Sequence, residues 1–96
     1  MLLQKEEKKG VYECLYKSSN IIKSKYIKED MLLEITFNYG GVYQYSDVSY
    51  KDYIRFENDE SQGKVFNKYI KNHDTKKMTN VDVSHYKEVI KNIINK

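Results

Sequence analysis

Residues 61–67, Ser-Gln-Gly-Lys-Val-Phe-Asn, combine residue types and spacing that suit an anion-binding helix start. Ser61 can cap the helix, Gly63 can let a ligand approach the backbone, and Lys64 can supply charge. Free N–H groups and the positive end of the helix dipole favour phosphate at such a place. The segment is not a Walker A loop, because Val65 follows Lys64 and the G-x-x-x-x-G-K-[ST] spacing is absent. The competing reading is purely architectural: Ser61 caps, and Gly63 lets the helix pack closely on a sheet. Asn67, one turn on, either bonds a loop or faces the ligand. Lys68 and Lys71 extend the charge along the same helix.

Aromatic residues form the second candidate set. Tyr43 and Tyr45 project from one face of a strand, roughly 7 Å apart by strand geometry. Exposed, they would stack on bases; buried, they would be core residues with hydroxyls satisfied at an edge. Tyr39, Tyr50, Tyr53 and Tyr69 could line the same groove, and Tyr53 is grouped with the ligand candidates. Arg55, the single arginine, either pairs with Asp52 or Asp59 or grips a carboxylate or phosphate in two-point fashion. His73, His85 and Cys14 lie apart in sequence and show no metal-ligand spacing. Asp59-Glu60 has no apolar pocket around it to raise a pKa. The chain is therefore expected to be non-enzymatic, with no cofactor and no metal. A dyad built on His73 or Cys14 would require the fold to bring partners to them.

The 96 residues suit one small domain with a modest core. Forty per cent of them are apolar and regularly patterned, which favours a folded domain over disorder. No run of about 18 apolar residues exists to span a membrane. Met1-Leu2-Leu3 gives way at once to Gln4-Lys5-Glu6-Glu7, so a signal peptide is not expected and the cytoplasm is the default location. The net charge of +3 is uneven: +2 over residues 1–30, −4 over 31–60 and +5 over 61–96. An anionic partner is expected at the C-terminal third. Ten tyrosines, abundant Lys, Asn and Ile, and the absence of Pro and Trp suggest an A/T-rich genome, such as a phage or low-GC bacterium.

These side chains need elements to position them. Residues 1–9 are helix-permissive, and Gly10 punctuates them. Val11–Tyr16 reads as a short strand and residues 18–28 as another. Leu33, Ile35 and Phe37 alternate with Glu34, Thr36 and Asn38, the signature of a half-buried strand. Asn38-Tyr39-Gly40-Gly41 supplies a turn, and Val42–Ser46 returns. Either the tyrosine pair or Val42 faces the core; alternation alone leaves both open. Ser49 caps a helix over 49–58, and Ser61 caps a second over 62–72, with Val65, Phe66, Tyr69 and Ile70 as its stripe. Residues 72–80 read as a polar connector. A third helix, 82–95, carries Val83, Tyr86, Val89, Ile90, Ile93 and Ile94 on one face.

In chain order these features resemble the KTSC domain. They are Ser19-Asn20-Ile21, Tyr26, Leu33-x-Ile35-x-Phe37, Gly40-Gly41-x-Tyr43-x-Tyr45, Val48, Tyr53, Phe56 and Ser61-x-Gly63-Lys64-x-Phe66-Asn67 with Ile70-Lys71. This small module is found at the C-terminus of some lysyl-tRNA synthetases and as a free-standing protein in bacteria and phages. Two departures stand out: Ser49 where relatives often have Pro, and Ile70-Lys71-Asn72-His73 where they often close with Ile-Arg and an aromatic. The resemblance implies a compact sheet with packed helices, and RNA binding has been suggested for the family.

The expectation is an α+β fold: an antiparallel sheet of three to four strands around a 32–46 hairpin, two helices packed on it, and an extra C-terminal helix. The division is an extension over 1–17, a domain over 18–72, and a connector with helix over 73–96. The expected role is a non-catalytic binding module for RNA or a nucleotide, as a homo-oligomer. In a phage it would sequester a host signalling nucleotide and so block defence. Its expected ligand residues are Tyr43, Tyr45, Tyr53, Arg55, Ser61, Gly63, Lys64, Asn67, Lys68 and Lys71. The rival reading is a structural or protein-interaction module acting through the last helix.

Overall fold

The computed structural model describes residues 1–95. Six strands form one antiparallel sheet in strictly sequential order. They are β1 (Leu2–Lys8), β2 (Val11–Tyr16), β3 (Ile21–Ile27), β4 (Leu32–Phe37), β5 (Gly41–Tyr45) and β6 (Thr75–Asn80). Between β5 and β6 lie α1 (Tyr50–Asn58), α2 (Gln62–Val65) and a π-helical turn (Phe66–Ile70); α3 (Ser84–Ile94) follows β6. No helix among the described residues is long and apolar enough to cross a membrane.

The sheet is larger than the three to four strands expected. Residues 1–9 contain β1, because Lys9 and Gly10, both at positive φ, make a two-residue turn that folds β1 back onto β2. Residues 72–80 contain β6, because the free edge of β5 offers an unpaired backbone ladder. Every residue of β6 is exposed, so it carries no apolar alternation to betray it. The sheet runs without a break through both boundaries drawn at residues 17 and 73.

Register explains the two-faced burial. Tyr12, Tyr26, Leu33 and Tyr45 form one row across the sheet, and Cys14, Ser24, Ile35 and Tyr43 form the next. These rows face Val48, Tyr53, Phe56, Val65 and Ile70 from the α1–α2 layer. Leu15, Lys23, Thr36 and Val42 form a row on the opposite face, over which α3 lies against β2 and β3. Tyr45 and Val42 are both buried, on opposite faces of the sheet. Ile21 and Ile22 serve opposite faces by ordinary strand alternation, and a bulge between Ile21 and Lys23 puts Ile22 and Lys23 together on the α3 side. Ile21 borders Phe66 and Ile22 borders Ile90.

The core is unusually phenolic. Tyr26 and Tyr53 stack with centroids 4.2 Å apart and planes within 4°. Their hydroxyls are spoken for: Tyr26 donates to the Val48 carbonyl at 2.7 Å, and Tyr53 meets Cys14 Sγ at 3.5 Å. Tyr16 shares a 2.7 Å bond with Ser24. Burial of ring area stabilises the core, and the satisfied hydroxyls remove the cost of desolvating them.

Candidate functional site

Residues from three distant segments meet at one end of the sheet and enclose a hollow of about 270 Å³. The first is the Ser18–Asn20 loop between β2 and β3. Ser18 Oγ accepts the Asn20 and Ile21 backbone N–H groups at 3.3 Å each. The second is the β4–β5 turn. Asn38 donates its backbone N–H to the Asn20 carbonyl at 2.8 Å, and its side-chain amide donates to the Ser18 and Ser19 carbonyls. The two loops are thereby clasped. The third is the start of α2 with the π-helical turn, which contributes Gly63, Phe66 and Asn67.

The glycines of the β4–β5 turn have steric reasons. Gly40 sits at φ +102°, and a Cβ there would collide with the Val81 carbonyl. A Cβ on Gly41 would meet the Tyr39 ring within 2.6 Å, so the ring lies across bare backbone. Tyr39 also stacks on Phe37, with centroids 6.0 Å apart and planes 17° apart, and donates its hydroxyl to Tyr43 at 3.1 Å. Tyr39 is nonetheless 69 % exposed, leaving ring surface open at the rim of the hollow.

Gly63 is different. A Cβ there would meet only the Asn20 side-chain nitrogen, at an ordinary 3.6 Å. The expected close packing of Gly63 on the sheet is therefore not what the structure has. The missing side chain instead leaves the wall of the hollow open.

The anticipated ligand residues separate into groups. Gly63 and Asn67 line the hollow, and Ser61 caps α2 by accepting the Lys64 N–H at 3.3 Å. Tyr45 and Tyr53 are core residues at 4 % and 0 % exposure, so neither ring can stack on a ligand. Tyr43 is half-buried behind Tyr39, edge-on to Phe37 at 5.6 Å. Arg55 lies on α1, with Nη1 3.4 Å from Asp52 Oδ1 and its guanidinium 4.8 Å from the Tyr69 ring centroid. Lys64, Lys68 and Lys71 are exposed and outside the hollow's lining.

The helix expected over 62–72 begins with a single α-turn and continues as a π-helical turn, closed by the Lys71 N–H on the Phe66 carbonyl at 2.8 Å. Asp59 already occupies its start, accepting the Ser61 N–H at 2.9 Å. Asn20, Asn38 and Tyr39 were missing from the anticipated set. Asn20 has its signal in the Ser-Asn-Ile motif and Tyr39 in the tyrosines that could line a groove, whereas Asn38 reads only as a turn residue. The side chains of Asn20 and Asn67 are exposed and hold no hydrogen-bond partner among the described residues.

The remaining reactive groups serve the interior. Burial pushes the Cys14 thiol above its ordinary range, and its neighbours are Tyr53 and Glu57. His73 Nδ1 lies 2.8 Å from the Ser46 carbonyl. Among the described residues no three of His, Cys, Asp and Glu are placed to hold a metal.

A sequential antiparallel sheet, a helical layer on its aromatic face and motif residues gathered at one end define a small α+β module. The model of the KTSC domain matches residues 17–73, and the chain belongs to that family. A solved KTSC domain protein from Yersinia pestis superposes with a TM-score of 0.66 at 27 % identity, covering 79 % of this chain and 97 % of that one. No curated protein matches the chain.

Proposed function

We propose that this KTSC protein is a non-catalytic module that binds a phosphate-bearing ligand, with a nucleotide's base in the hollow between Asn20, Tyr39 and Asn67. The carrying observation is Gly63. A glycine in a helix costs about 1 kcal/mol relative to alanine, and here no positive φ and no tight contact returns that cost. What it leaves is space. Amides on Asn20 and Asn67 can read a ring edge, and the exposed Tyr39 ring can stack on a base. A π-helical turn beside the hollow is a frequent companion of function.

A hollow of about 270 Å³ takes a ring, not a whole nucleotide, so the sugar and phosphates lie outside it. That favours one nucleotide over an extended RNA strand. The groove supplies amides, hydroxyls and an aromatic ring, which are groups for capture without turnover. In a phage, capture would serve to withdraw a host signalling nucleotide from defence.

The test is mass spectrometry of small molecules released from the denatured purified protein, then thermal shifts with nucleotides and short RNAs at two salt concentrations. A bound nucleotide at a hundred times its Kd should raise Tm by about 10 °C or more. Asn67→Ala and Tyr39→Ala should each remove most of that shift. If no nucleotide or RNA raises Tm, the reading fails. A shift with RNA alone that falls steeply with salt would replace the nucleotide by a strand.

A further inference from the structure

We infer that the ligand's phosphates are held by Lys17 together with Lys87 and Lys91 of α3, at a second hollow joined to the first through Asn38, and that the ligand is a nucleoside di- or triphosphate. The inference rests on the base-binding reading above and locates the charge that reading lacks.

A hollow of about 390 Å³ lies between the Ser18 loop and α3, and Asn38 lines both this hollow and the first. Its rim carries Lys17, Lys87 and Lys91, and no carboxylate among the described residues lines it. Lys87 and Lys91 stand one helical turn apart on a single face of α3, and Lys17 comes from the end of β2. The ion pairs found among the described residues engage Lys5 and Arg55, and no carboxylate of a described residue lies within 4.0 Å of these three ammonium groups. The floor is apolar, formed by Ile22 and Ile90. A cleft with one sign of charge and low-dielectric walls focuses its field and draws in counter-charge. Three cations around one opening suit a ligand with several negative charges better than a single phosphate.

The connection is physical. Ser18 borders this hollow, Ser19 borders the first, and both with Lys17 border a third, wide hollow that also reaches Ser61. The 17–20 loop is the ridge between them, so a chain of phosphates leaving a base beside Asn20 crosses it towards Lys17. Lys64, Lys68 and Lys71 border none of these hollows. The charge is thus supplied in part by α3, which lies beyond the matched residues 17–73.

The experiment is amide NMR of the full chain titrated with adenosine, guanosine, ATP, GTP, inorganic tripolyphosphate and laurate. The expected result is that a triphosphate binds roughly tenfold or more tighter than its nucleoside and shifts Lys17, Lys87 and Lys91 as well as Asn20 and Asn67. Lys87→Ala/Lys91→Ala should abolish the difference and leave nucleoside binding unchanged, and Lys87→Arg/Lys91→Arg should restore it. Equal affinity for nucleoside and triphosphate, unmoved by the double alanine variant, would overturn the lysine site while the base groove stands. Tripolyphosphate shifting the lysines with both nucleosides silent would support the phosphate site and sink the base reading. Laurate shifting Ile22 and Ile90 where ATP moves no lysine would overturn it in favour of an amphiphile.

Discussion

Lys5 Nζ lies 2.6 Å from Glu57 Oε1, joining the edge strand β1 to a carboxylate that is 1 % exposed beneath α1. The second oxygen of Glu57 is buried and without a hydrogen-bond partner among the described residues. The pair therefore holds β1 to the helical layer at the cost of one unsatisfied acceptor.

Removing the lysine should be worse than removing both partners. Lys5→Ala leaves the Glu57 charge buried and alone, and should cost about 1–3 kcal/mol in urea unfolding. That is short of the 3–5 kcal/mol of a fully buried pair, because the Lys5 side chain is 37 % exposed. Lys5→Met/Glu57→Leu should recover most of the loss. If Lys5→Ala changes nothing, β1 is held by its backbone ladder alone.

The protein should unfold readily in alkali. The hydrogen bond to Glu57 raises the Lys5 pKa, burial raises those of Cys14, Tyr16 and Tyr53, and burial pushes Tyr45 up to about 12. Each folded pKa lies above its unfolded value. The stabilisation is thus complete below the unfolded thiol, phenol and ammonium values, roughly pH 8.5 to 10.4, and is lost as pH climbs towards the folded ones. Absorbance at 295 nm should show the core tyrosines Tyr16, Tyr45 and Tyr53 ionising only together with loss of circular dichroism. Simple titration of every tyrosine near pH 10 would refute this.

Three glycines should respond differently. Gly40→Ala must fit a side chain at φ +102° against the Val81 carbonyl and should destabilise strongly. Gly63→Ala should be neutral or stabilise by about 0.5–1 kcal/mol through helix propensity. Gly63→Leu should fold yet lose ligand shifts, because it fills the wall of the hollow. Gly41→Ala should displace the Tyr39 ring, seen as a changed ring environment in NMR.

Ending the chain after Val81 should leave the aromatic face intact and uncover the other. Leu15, Ile22 and Val42, at 8 %, 3 % and 5 % exposure, share the sheet face on which α3 lies. Size-exclusion chromatography should show the truncated chain associating more than the full one. Unchanged behaviour would mean that α3 shields little.

Local pattern was enough for the centre of the chain. Alternation in Leu33–Phe37 and the glycine turn specify the β4–β5 hairpin, and Ser49 and Ser61 do cap helices. Those signals are written within a few residues, as hydrophobic period and capping chemistry. The motif order was also enough to recognise the family. Nothing local could announce β6, a wholly exposed strand whose only reason to be extended is the open edge of β5. The same holds for β1, where pairing with β2 and Glu57 overrides a helix-permissive composition.

The hollow is a tertiary product throughout. Ser-x-Gly-Lys pointed to Lys64, because charge is visible in a sequence and direction is not. Only the folded chain brings Asn20, Tyr39 and Asn67 to one opening and sends Lys64 outward. Tyr43 and Tyr45 show the limit most plainly. Sequence determined that they share a face, since side chains alternate along a strand. Burial of that face beneath α1 and α2, and packing of α3 on the opposite face over β2 and β3, was decided by which layers pack on the sheet, a matter of contacts between segments far apart in the chain.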